Sequence, residues 1–163
     1  RQATSTSVIS ETRIGGIQLI EVDFDESVTL VNPGGITMKD AWVGTPYPPG
    51  VPWMVDADTL AIPFAAGLLP DQKCYVLDLD SCVQNLAGVP LAGDTDCMVR
   101  GLIGDVTTGG MVTNSDVTAV KTKVGLSPAL PGNARFDINA GGTIVNADVT
   151  ATKARVGFTA PCP

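Results

Sequence analysis

The 163-residue chain has no histidine. That excludes His-based triads, imidazole metal ligands and the commonest general base near neutral pH. Aromatic residues are scarce at 5%, and charged residues make up 17%, below the usual quarter. The hydrophobic share of 44% is ordinary and argues against disorder. No apolar run approaches the roughly 18 residues that a membrane span needs. No cluster of Lys and Arg relieves the net charge of −7, so a phosphate backbone would be repelled and nucleic acid is not an expected partner. The start at Arg1 in place of Met suits a processed mature protein, and a cloned fragment would look the same. No CxxC pair occurs, and there is no histidine to complete a zinc site. Cys74, Cys82, Cys97 and Cys162 therefore read as disulfides of a secreted protein, with buried thiols of a cytosolic one as the competing reading. Three pairings are open. Cys82–Cys97 would clasp the loop before the last strand, and Cys162 would tie the C-terminus to Cys74 or to another chain.

What is present in quantity is turn chemistry: 18 glycines and 12 prolines divide short β-type segments. Ile20, Val22 and Phe24 alternate with acids, as do Leu60, Ile62 and Phe64 with polar or small residues, the period of a half-buried strand. Val28 to Val31, Ile36 to Val43, Trp53 to Val55, the run around Cys74 and Val76, and a closing segment Val89 to Leu91 read the same way. This spacing predicts an all-β sandwich over residues 17–101. The Ser/Thr-rich extension 1–16 is either a frayed leader or an extra strand around Ser7–Ile9, one that a neighbouring subunit would accept by donation.

Beyond Gly101 the chain repeats itself. Asp105 to Asp116 aligns without gaps on Asp137 to Asp148, and the register continues through Val117/Val149, Lys121/Lys153 and Gly125/Gly157, every pair 32 apart. The acids of residues 102–163 are Asp105, Asp116, Asp137 and Asp148, the first and last positions of the two loops. With five basic residues this segment carries +1, which leaves −8 for the first 101 residues.

Two carboxylates eleven residues apart, with glycine at loop position 6 and an aliphatic residue at position 8, match a calcium loop entering a helix. The repeat resembles dockerin domains, whose duplicated loops close with Asp at position 12; the match covers roughly residues 103–158, within a small, mainly α unit expected over 102–163. The resemblance implies calcium as a cofactor. Its ligands would be Asp105 and Asp116 with Thr107, Thr113 and the Met111 carbonyl in the first loop, and Asp137 and Asp148 with Asn139 and the Thr143 carbonyl in the second. Position 5 departs from the pattern with Gly109 and Gly141, and position 9 with Thr113 and Val145. Weak affinity, about 10⁻⁴ to 10⁻³ M or none, is therefore expected, with the second loop favoured because Asn139 is the better ligand. The competing reading makes the aspartates helix caps and turn formers. The resemblance also implies a β-sandwich protein partner, self or cohesin-like, met through Asn114, Ser115, Asn146 and Ala147 at the helix starts and Lys121, Lys153 and Arg155 along the helices. Read on their own, these are solvated helix faces.

The segment from Ile20-x-Val22-x-Phe24 to Gln84-Asn85-Leu86-Ala87-Gly88-Val89-Pro90-Leu91 is similar to bacterial Ig-like surface modules, which act as spacers and adhesion units. The acid pairs Asp23/Asp25, Asp56/Asp58, Asp78/Asp80 and Asp94/Asp96 are the pattern of a solvated strand face more than of glycosidase carboxylates. The expectation is a non-catalytic, extracellular homopolymer that forms filaments or a surface layer by dockerin-like contacts on a sandwich. The alternatives are a cohesin-binding anchor for a larger surface protein or enzyme, and a carbohydrate-binding adhesion module using Trp42 or Trp53.

Overall fold

A computed structural model describes residues 8–92 and 95–163. Ser7 of the suggested donated strand and Asp94 of the last acid pair lie outside the described residues. The fold is mainly β with two short helices. In chain order the strands are β1 Ile9–Glu11, β2 Leu19–Asp23, β3 Val28–Leu30, β4 Thr37–Asp40, β5 Trp53–Met54, β6 Thr59–Pro63, β7 Lys73–Asp78, β8 Val83–Asn85 and β9 Asp96–Gly101. Helices α1 Asn114–Lys123 and α2 Asn146–Lys153 follow. The strands form a four-stranded sheet in the order β1-β9-β7-β4, a three-stranded sheet β2-β6-β5 and a two-stranded ladder β3-β8.

Alternation places the core. Ile62 and Leu60 of β6, Tyr75 and Leu77 of β7, Met38 of β4 and Val99 of β9 meet in one cluster with Ile17, Ile36, Leu69, Leu79 and Val83. Each fully buried aliphatic side chain contributes about 1.5–3 kcal/mol, so this cluster dominates the stability of the strand region.

Several expected bounds shift for local reasons. The strand expected over Ile36 to Val43 stops at Asp40, because its carboxylate accepts the N–H groups of Trp42 and Val43 and turns the chain. Val89 to Leu91 makes only a single bridge, Gln84 to Pro90, since proline has no donor to extend a ladder. The closing strand is β9, which runs antiparallel to β7 from Asp78↔Asp96 to Lys73↔Gly101. Residues 9–11, set among a leader or donated strand, are an extra strand that pairs in parallel with β9 of their own chain, Ile9↔Val99 to Glu11↔Gly101. The chain then continues along the helical region: Leu102 N donates to Glu11 O, Gly104 N to Thr12 O, and Ile14 N to Ile138 O.

The repeat folds as two loop–helix units around a second core of Ile103, Val106, Val117, Val120, Ile138, Ile144 and Val149. Their pairing is reciprocal. Gly125 N donates to Ile144 O of the second loop, and its counterpart Gly157 N donates to Val112 O of the first, both at 2.9 Å. A small third cluster of Leu102, Val112 and Ala160, with Phe158 against it, fills the seam toward the four-stranded sheet.

Candidate functional site

The two loops share one backbone plan. In each, the fourth residue takes a left-handed conformation, Thr108 at φ 60° and Ala140 at 53°, and so does the sixth, Gly110 at 82° and Gly142 at 81°. The first aspartate holds that turn. Asp105 accepts the N–H groups of Gly109 and Gly110, and Asp137 those of Gly141 and Gly142. The last aspartate holds the helix entry. Asp116 accepts the N–H groups of Thr107 and Thr113, and Asp148 those of Asn139 and Val145. All four carboxylates are buried.

The side chains break this symmetry. In the first loop Thr107 Oγ1 donates to Asp116 Oδ1 at 2.7 Å and Thr113 Oγ1 to Asp116 Oδ2 at 2.9 Å. Thr113 also caps α1 by accepting Ser115 N–H, completing a capping box with Asp116. Thr107 and Thr113, expected as ligands, thus turn their protons toward the carboxylate that would have to share a metal with them. Burial pushes the Asp116 carboxyl up, but the four bonds from Thr107 and Thr113 outweigh it and hold it below its ordinary value. Val145, the counterpart of Thr113, has no oxygen to cap α2. Asn139 uses its Oδ1 to accept Gly141 N–H. Met111 forms a bridge with Thr159 of the C-terminal segment. Among the described residues no group of three or more Cys, Asp or Glu is placed to hold a metal.

Two further donors reach the first loop from the sheet. Ser10 of β1 and Arg100 of β9 are register partners, and Val99, one residue before Arg100, faces the core. Arg100 must therefore point the other way, under the loop. Its Nη1 lies 3.3 Å from Asp105 Oδ2 and 3.2 Å from Thr108 O, its Nε donates to Ala160 O at 2.7 Å, and Ser10 Oγ donates to the same Asp105 oxygen at 2.9 Å. A Cβ on Gly110 would lie 3.0 Å from Nη2, so glycine is needed there for approach as well as for φ.

Other ties complete the seam. Arg155 pairs with Asp71 at 2.8 Å, and the other Asp71 oxygen accepts Ile103 N–H. Arg155, expected on a free helix face, is therefore part of an internal joint. Cys74 of β7, opposite Arg100 in the ladder, is bonded to Cys162. Cys82 is a buried thiol that donates to Asp80 O, so the Cys82–Cys97 clasp does not form. Burial and the nearby Asp78 and Asp80 push that thiol up. Asn114, Ser115, Lys121, Asn146, Ala147 and Lys153 are exposed.

The remaining candidates do not converge. Trp42, 62% exposed, donates its indole N–H to Pro161 O, while Trp53 lies on β5 of a different sheet. Asp56 and Asp78 accept backbone N–H groups two residues on and act as turn formers, and Asp23 accepts the Thr59 hydroxyl. The most perturbed carboxyl, Asp40, is held at about 2 by the Lys73 ammonium and the Trp42 and Val43 amides, a structural tie at the end of β4. Sequence reading missed Arg100, Ser10 and Asp71. The available signal was Arg100 directly after the core-type residue Val99 and five residues before a loop aspartate.

No protein-family model and no curated protein sequence matches this chain. Among solved structures it is similar to the S-layer protein rSbsC(31-844), at 15% identity and TM-score 0.44, over 58% of this chain and 13% of that one. It is also similar to two interface mutants of a type II cohesin–X-dockerin complex from Acetivibrio cellulolyticus, each at 13% identity and over 88% of this chain and 98% of the matched one, with TM-scores of 0.33 and 0.34. At these values the likeness assigns neither activity nor partner.

Proposed function

We propose that this chain is a non-catalytic extracellular structural subunit: an Ig-like sandwich joined to a dockerin-like unit that docks on the sandwich of another copy. The observation that carries this reading is the pair of equivalent helix starts. Asn114-Ser115 and Asn146-Ala147 stand exposed 32 residues apart on matching loop–helix units, while Arg155 and Cys162 are committed to internal ties with Asp71 and Cys74. Charge supports a head-to-tail contact, since the strand region carries −8 and the exposed Lys121 and Lys153 lie beyond the helix starts. A contact between unlike faces that does not close on itself propagates into filaments or layers. The Cys74–Cys162 disulfide suits an oxidising, extracellular setting, and no helix among the described residues is long and apolar enough to cross a membrane.

Calcium belongs to this proposal in the second loop alone. Asp137 and Asp148 accept two N–H groups each and keep lone pairs that a cation could use. The first loop does not fit the ion. Sedimentation and electron microscopy across a concentration series test the assembly. Wild type should form polymers, and Ser115→Arg/Ala147→Arg should remain monomeric with unchanged thermal stability. A wild-type protein that stays monodisperse at high concentration, with and without calcium, overturns self-assembly.

A further inference from the structure

An ionised carboxylate offers about four lone-pair sites. In the first loop each carboxylate accepts four bonds, two on each oxygen of Asp116, and three on Oδ2 with one on Oδ1 of Asp105. Asp105 accepts Gly109 N, Gly110 N, Ser10 Oγ and Arg100 Nη1, and Asp116 accepts the amide and the hydroxyl of both Thr107 and Thr113. In the second loop half are taken, all by backbone N–H groups. The additional donors are two hydroxyls from the loop and two groups from the sheet, and only Arg100 among them brings charge. Arg100 has no twin, because the residue 32 positions on is Gly132.

We propose that Arg100 is the resident cation of the first loop, so that this loop keeps its fold and its seat on β9 with no divalent ion and is closed to metals. A guanidinium keeps its proton under all physiological conditions, whereas a weakly held calcium exchanges with the medium. Here the cation is attached to the sheet. Neutralising Asp105 and fastening the loop–helix region to β9 are then one interaction, further anchored by Arg100 Nε on Ala160 O. Among the described residues the second loop has no hydrogen-bonded cation, since Arg13 acts on Asp137 through charge alone and spends its hydrogen bonds on Glu11, so any metal response of the repeat is expected there. The inference rests on this geometry and is independent of what the helix starts bind.

The test is residue-resolved NMR of the full chain titrated with calcium to about 10 mM, well above the weak extracellular range. The amide signals of Thr107, Gly109 and Gly110 should not move, whatever happens at Asn139, Gly141 and Gly142. Saturable shifts at Thr107 to Gly110 overturn the proposal. If neither loop responds, the calcium reading of the second loop fails and the Arg100 assignment stands. A thermodynamic cycle tests the pairing itself. Arg100→Met should lower the thermal midpoint strongly, and Arg100→Met/Asp105→Asn should regain at least half of that loss. Additive losses overturn the pairing. Should Arg100→Met not fold, Arg100→Lys serves in its place: a folded protein with the first loop still silent to calcium supports a charge role, and a first loop that now responds to calcium while the wild type does not supports guanidinium exclusion of the ion. A first loop that responds in both proteins overturns the assignment.

Discussion

The first and second loops have the same length, the same backbone turns and the same carboxylate-to-amide bonds, yet the first has a cation hydrogen-bonded to its carboxylate and the second does not, among the described residues. The difference lies in four side-chain hydrogen-bond donors, Ser10, Arg100, Thr107 and Thr113, against none among the described residues of the twin, where Arg13 acts on Asp137 through charge alone. Backbone geometry is thus set by the aspartate and glycine positions common to both, and chemical character by the residues between and beneath them. Duplication supplied a frame, and the sheet on which one copy rests decided what that copy can bind.

The sharpest way to break the comparison is to remove equivalent carboxylates. Asp105→Asn strands the buried Arg100 guanidinium and should cost about 3–5 kcal/mol in denaturant unfolding, because a buried charge loses its partner. Asp137→Asn weakens bonds to two amides and should cost about 1–2 kcal/mol. Equal losses would mean that Arg100 compensates nothing. A smaller effect comes from exchanging the cap residues. Thr113→Val removes both the N-cap acceptor and a hydroxyl donor and should cost about 1–2 kcal/mol, whereas Val145→Thr should stabilise α2 by about 1 kcal/mol or less. If the second exchange destabilises, the loops differ in more than side chains.

These contrasts also mark what could be read in advance. The repeat, its loop ends and both helices were legible because the turn and the helix entry demand particular residue types locally: Asp105 and Asp137 to bind two successive amides, Gly110 and Gly142 for a left-handed turn, Asp116 and Asp148 at the third helical position. The alternating strands β2 and β6 were legible for the same reason. Strand β9 and Arg100 were not, since nothing within a few residues of Arg100 tells that Ser10 would lie beside it and Asp105 above it. That depends on β1 and β7 arriving from 90 and 26 residues away in one register. In the first loop Asp116 completes a capping box and Asp105 accepts two turn amides, the geometry of the cap reading set against ligation.

The smallest expected effects are in acid. Asp116 is held below its ordinary value of 3.8, so its contribution to stability is complete above that value and is lost as pH falls through the lowered one. Thr107→Val should move its carboxyl titration upward in NMR, and an unmoved titration would remove the hydroxyl from the account. Asp40 is a reference outside both loops. Its Lys73 tie, with a carboxyl at about 2, should persist to lower pH than any contribution from an unperturbed carboxylate and fail as pH falls from about 4 toward 2. Lys73→Met should move that late step to higher pH, with the Trp42 and Val43 amides still in place, and leave the Asp116 titration unchanged.

The bond between Cys74 and Cys162 closes a covalent ring over a separation of 88 residues. For a chain pulled at its ends this sets the path of the load. A pull delivered at Pro163 crosses the sulfur atoms directly into β7, passes by hydrogen bonds to β9, and leaves through β1, which lies parallel to β9 and is strained in shear along its whole length. The loop–helix region lies within the ring and shares that load where Leu102, Gly104 and Ile138 are bonded to Glu11, Thr12 and Ile14.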